Sequence, residues 1–124
     1  ENWVDAYSSQ DQGKTWQFYA KVGDAGAGNG NPPAVTATKD GRLCAVFGDR
    51  AVGNMMAAYS SDGGKNWTAP FVLRDDFGSV DGETNDLGYP RLFSRSDGKM
   101  VALYYYSTKE KLHHITATIW DTSE

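Results

Sequence analysis

One stretch of this chain occurs twice. Ala6-Tyr7-Ser8-Ser9-Gln10-Asp11-Gln12-Gly13-Lys14-Thr15-Trp16 returns, one residue shorter, as Ala58-Tyr59-Ser60-Ser61-Asp62-Gly63-Gly64-Lys65-Asn66-Trp67; aligned on aspartate and tryptophan, the copies lie 51 residues apart. A second pair runs from Pro33 to Val46 and from Pro90 to Leu103, 57 residues apart, with Asp40-Gly41 in the first copy and Asp97-Gly98 in the second. Repetition at this scale means stacked copies of one supersecondary unit. Asp-Gly between alternating runs is a strong hairpin signal, because glycine takes positive φ at little cost. The repeated unit is therefore expected to be a β-hairpin. No stretch sustains the 3.6-residue apolar period of a helix. Fourteen glycines against 4 prolines, with 13% aromatic residues, suit short strands joined by tight turns.

Between the turns the sequence predicts nine strands: Val4 to Ser8, Thr15 to Val22, Ala34 to Thr38, Leu43 to Gly48, Asn54 to Ser60, Thr68 to Leu73, Tyr89 to Ser94, Met100 to Ser107 and Leu112 to Trp120. Sequential antiparallel order makes them a meander. The repeat spacings exceed the roughly 40 to 45 residues of a common four-stranded propeller blade, and fit a blade with longer loops. The expected fold is all-β, a β-propeller of four-stranded antiparallel blades. Residues 1–22 would form a partial blade, 33–73 a full one and 89–124 a second partial one. A propeller needs about 4 to 8 blades. On this reading the chain is cut from a longer protein or several copies assemble, three two-bladed or two three-bladed chains giving a six-bladed ring. The start at Glu1, with no Met and no apolar leader, fits a removed signal or an excerpt.

Composition narrows the function classes. At 124 residues and 13.6 kDa the chain is one domain's worth of sequence. No apolar run approaches the roughly 18 residues of a spanning helix, so no membrane role is expected. Twelve basic residues against 16 acidic ones, with no basic cluster, argue against nucleic acid as a partner. The single Cys44 excludes an internal disulfide and a multi-cysteine zinc site.

The motif Ser9, Asp11, Gly13, Thr15, Trp16 and its copy Ser60, Asp62, Gly64, Asn66, Trp67 resemble the Asp-box, or bacterial neuraminidase repeat, of sialidases and related β-propellers. Asn66 stands where threonine is usual. The residues also explain themselves: aspartate accepts backbone N–H bonds in a tight turn, glycine permits a left-handed backbone, and tryptophan is an apolar anchor. Their expected role is structural. The resemblance implies a terminal-sugar hydrolase of sialidase type, a glycan partner, no cofactor or metal, and a secreted or periplasmic setting. Gly88-Tyr89-Pro90, Tyr104-Tyr105-Tyr106 and Thr118-Ile119-Trp120-Asp121 are similar to bacterial sialidase-like proteins and favour that reading. The alternatives are a noncatalytic carbohydrate- or protein-binding propeller and an inactive fragment.

Turns alternate between the two ends of a meander, so the Asp-box and Asp-Gly turns share one end and the longer connections the other. Loops on a rigid scaffold are where binding residues usually sit. In sialidase-like propellers the active site lies away from the Asp-boxes. There the resemblance implies Tyr89 as catalytic nucleophile, with Asp86 as a second catalytic candidate and Arg50, Asn31 and Arg91 binding substrate. Arginines clamp a substrate carboxylate by bidentate pairing, and a tyrosine nucleophile is a known exception among glycosidases. Plainer roles are open to each: loop solvation for Arg50, strand packing for Tyr89, turn capping for Asp86, backbone satisfaction for Asn31. Asp75, Asp76, Asp81, Glu83 and Asp86 form an acidic loop without EF-hand spacing. His113 and His114, adjacent on an expected strand, face opposite sides and are read as structural. Asn66-Trp67-Thr68 matches a glycosylation sequon but lies in the turn motif.

Overall fold

The computed structural model describes residues 1–26, 28–78 and 86–123. Among the described residues nine strands follow one another: β1 (Asn2–Ser8), β2 (Gln17–Gly26), β3 (Ala34–Ala37), β4 (Leu43–Asp49), β5 (Asn54–Ser60), β6 (Phe71–Arg74), β7 (Gly88–Ser94), β8 (Met100–Tyr106) and β9 (His114–Trp120). Consecutive strands pair, all antiparallel, in sheets of two (β1-β2), four (β3-β4-β5-β6) and three (β7-β8-β9) strands. The chain is all-β, and no helix occurs among the described residues.

Strand boundaries move where side chains take over the backbone. β2 begins at Gln17, not Thr15, because the Asp11 carboxylate holds the Thr15 N–H and hydroxyl in the turn. β6 begins at Phe71, not Thr68. Pro70 has no N–H to give a ladder, and Thr68 is tied back to Tyr59 by its own N–H (2.8 Å) and by its hydroxyl accepting the Tyr59 N–H (3.0 Å).

The three sheets pack through two apolar clusters, and the middle sheet contributes to both. Along β4, Ala45 and Phe47 pack with Val4, Val22 and Ala25 of the first sheet, while Cys44 and Val46 pack with Met100, Ala102, Tyr104 and Tyr106 of the third. Burial on both faces explains why β4 reads as an unbroken apolar run, Leu43-Cys44-Ala45-Val46-Phe47. Phe47 is 1% exposed, and burying such a side chain is worth about 1.5–3 kcal/mol. Burial also pushes the Cys44 thiol up to about 12.

Both Ser-Asp-Gly-Trp turns close on the same hydrogen-bond pattern. Ser9 Oγ donates to Asp11 Oδ1 (2.8 Å) and accepts the Gly13 N–H (2.8 Å), while Asp11 accepts the Thr15 N–H (2.8 Å) and hydroxyl (2.6 Å). Ser60, Asp62, Gly64 and Asn66 repeat these bonds at 2.9, 2.9, 2.9 and 2.6 Å, the Asn66 amide standing in for the threonine hydroxyl. The tryptophan indoles donate to the glycine carbonyls, Trp16 to Gly13 (3.1 Å) and Trp67 to Gly64 (2.9 Å). These donors hold both carboxyls at about 2, led by the side-chain bonds from Thr15 and Asn66.

The two Asp-Gly turns lie together, since Lys39 Nζ donates to Ser96 O at 2.9 Å. At the other end of the sheets the longer connections meet. Arg50 N–H donates to Ala25 O (3.1 Å), the Tyr106 hydroxyl to Gly53 O (3.1 Å), and Gly78 N–H to Ser107 O (3.0 Å).

Candidate functional site

At that second end four connections converge on Asp86. Arg50 follows β4, and its guanidinium reaches across to the segment before β7. Nε donates to Leu87 O (3.1 Å), Nη1 to Asn29 O (2.8 Å), and Nη2 to the Tyr105 hydroxyl (2.8 Å), with Asp86 Oδ1 at 3.5 Å. One planar group thus ties three loops together, a use that suits arginine's fixed fork of donors. The side chain is largely buried, 13% exposed, while Asp86 is half exposed.

The Tyr105 hydroxyl donates a short hydrogen bond to Asp86 Oδ1. Burial, and secondly this bond to the carboxylate, push the phenol up to about 12. Tyr105 is therefore held as a neutral donor. His113 Nε2 lies 3.2 Å from Asp86 O and 3.5 Å from Asp86 Oδ2. The Tyr105 ring sits between those of Tyr89 (5.7 Å) and His113 (5.9 Å). Tyr89 is half exposed, so an aromatic surface borders the carboxylate.

The backbone before β7 shapes this edge. Gly88 has φ of +125° and Tyr89 a φ of +51°, a conformation costly for a bulky residue. A Cβ at Gly88 would overlap Asn31 Oδ1. Asn31 is buried, donates from Nδ2 to Gly48 O (3.3 Å), and its Oδ1 receives no hydrogen bond among the described residues. Asn31 thus fills the gap between the starts of β3 and β7 and limits the turn that aims Tyr89.

Of the residues expected at the site, the structure brings Asp86, Arg50 and Tyr89 together around Tyr105, with Asn31 directly behind Gly88. Arg91 sits apart: it donates to Pro90 O (3.3 Å) and joins none of these contacts among the described residues. Asp81 and Glu83 lie outside the described residues. Asp76 pairs with Arg74 at 2.6 Å, away from Asp86. Among the described residues no group of three or more His, Cys, Asp or Glu is placed to hold a metal ion.

The sequence gives Tyr105 no role at the site and reads His113 as structural. Strand alternation separates Tyr105 from the buried Tyr104 and Tyr106, and that signal was available. His113 lies before β9, not on it, and only the folded loop brings it to Asp86.

No family model matches this chain, and no curated protein matches it. Among solved structures it is similar to a protein of unknown function from Dyadobacter fermentans, with 21% identity and a TM-score of 0.41 over 91% of this chain. The chain spans 44% of that protein's length.

Proposed function

We propose that this chain is a segment of a sialidase-like β-propeller, and that its Asp86 cluster engages the terminal sugar of a glycan for hydrolysis of the glycosidic bond. Support comes from the repeated Asp turns, from the meander sheets packed in series, and from a polar cluster at the end away from those turns. The observation that carries the reading is the Asp86 carboxylate, half exposed, fixed by Tyr105 and Arg50, and bordered by aromatic rings. Sugar sites combine apolar faces with a few fixed polar groups. Asp86 is the proton-transfer group. Tyr89 offers its exposed phenol as nucleophile one ring away, and Arg50 positions the carboxylate.

One observation favours a noncatalytic, glycan-binding reading. The guanidinium of Arg50 is directed at protein acceptors, Leu87 O, Asn29 O and the Tyr105 hydroxyl.

The experiment is turnover of a panel of fluorogenic terminal glycosides, a sialoside included, with calorimetric binding of the same sugars. The hydrolase reading expects turnover that falls at least a hundredfold in Asp86→Asn and Tyr89→Phe. Turnover that survives both variants removes the site assignment. Binding without turnover, lost in Asp86→Asn, establishes the second reading, and neither binding nor turnover overturns both.

A further inference from the structure

Hydrogen bonds fix the sign of the charge that the Asp86 cluster presents. Arg50 Nη2 donates to the Tyr105 hydroxyl at 2.8 Å, and the hydroxyl gives its own proton to Asp86 Oδ1. A carboxyl that accepts from such a donor is favoured as the carboxylate. Arg50 supports that charge from within the protein. Its Nε and Nη1 donate to Leu87 O and Asn29 O, and its side chain is largely buried. A guanidinium turned onto protein acceptors does not present the fork that clamps a ligand carboxylate.

His113 also reaches Asp86, with Nε2 at 3.2 Å from the backbone carbonyl. A carbonyl only accepts, so a neutral imidazole satisfies this contact. Among the described residues no lysine pairs with Asp86, and Arg91 sits apart. What faces a ligand is thus a half-exposed carboxylate beside a row of rings, Tyr89, Tyr105 and His113, at 5.7 and 5.9 Å between neighbours. The faces of tyrosine rings carry negative potential and attract cations. Carboxylate and ring faces together complement an ammonium group. A sugar acid would bring its carboxylate against that of Asp86.

We propose that the Asp86 site takes an amino sugar, a terminal residue with a protonated amine, the ammonium seated on the Asp86 carboxylate and against the exposed Tyr89 ring, and that it discriminates against sugars carrying a carboxylate. The proposal rests on the reading of the cluster as a glycan site and holds for binding with or without turnover. An N-acetyl group removes the charge from the same sugar ring, so the acetylated sugar is the matched comparison.

The test is calorimetric binding to the unmodified chain of the methyl glycosides of glucosamine and galactosamine, of their N-acetyl counterparts, of glucose and galactose, and of sialic acid. One amino sugar is expected to bind about tenfold tighter than its N-acetyl counterpart and its neutral parent, with the sialoside weakest. Added salt should narrow that preference. Asp86→Asn should abolish it, with folding of the variant checked by tryptophan fluorescence. The ranking of ligands uses the unmodified chain, so it decides the matter even if the variant does not fold. A neutral, N-acetylated or acidic sugar bound as tightly as the amino sugars overturns the proposal and leaves the glycan site standing. An amine preference undiminished in folded Asp86→Asn overturns it as well, by placing the cation elsewhere. No binding by any of these sugars at millimolar concentration overturns the proposal together with the glycan reading on which it rests.

Discussion

Replacing Ser60 and Ser9 by alanine, one at a time, separates burial from hydrogen bonding, because the two serines make the same bonds in different surroundings. Ser60 is 2% exposed, and its Oγ accepts the N–H of Gly64, itself buried, at 2.9 Å. Ser60→Ala leaves that N–H without an acceptor and without water. A buried donor left unpaired costs about 1–3 kcal/mol, and about 2 kcal/mol is expected here. Ser9 accepts the Gly13 N–H at 2.8 Å in an exposed turn. Water replaces the hydroxyl there, so Ser9→Ala is expected to cost about 0.5 kcal/mol. Urea unfolding monitored by tryptophan fluorescence measures both, with thermal midpoints falling by roughly 6–10 °C and 2 °C. Equal losses, or a larger loss for Ser9→Ala, would refute the argument that the second turn is a buried structural element and the first its solvent-facing copy.

Three further outcomes follow from the same geometry. Gln12 takes a left-handed φ of +61° where the second turn has Gly63 at +76°, so Gln12→Gly is expected to stabilise the fold by about 1 kcal/mol in urea unfolding. Asp11, Asp40 and Asp62 are each held at about 2 by hydrogen bonds, below the ordinary 3.8. Between those values the unfolded chain binds more protons, so their contribution is complete above about pH 5 and is lost as pH falls from about 4 to 2. The combined Asp11→Asn and Asp62→Asn variant should flatten that part of the stability profile. Cys44, fully buried with its thiol pushed up to about 12, should resist alkylation in the folded protein and react once denatured.

The strand order was legible because each turn carries its own chemistry: Asp-Gly at residues 40–41 and 97–98, and the Asp turns ending at Trp16 and Trp67. Exact ends were not, since capture of the Thr15 N–H by Asp11 and of the Tyr59 N–H by Thr68 are side-chain events. At the site, Arg50, Asp86 and Tyr89 stand out as polar or aromatic residues where long connections meet strands. Tyr105 and His113 do not, because their roles depend on Asp86, 19 and 27 residues away in sequence. The Arg50 contacts are longer still, 36 residues to Asp86 and 55 to Tyr105. Pairings across such separations come from sheet packing, which local patterns do not specify.

The decisive measurement is an amide NMR titration of the isotope-labelled chain with methyl sialoside and a panel of other terminal sugars. A glycan site around Asp86 predicts that one sugar shifts amides near Asn31, Arg50, Leu87 to Tyr89, Tyr105 and His113. It also predicts that those at Asp11 and Asp62 stay fixed and that the shifts vanish in Asp86→Asn. Shifts confined to the Asp turns, or none with any sugar at millimolar concentration, would contradict it.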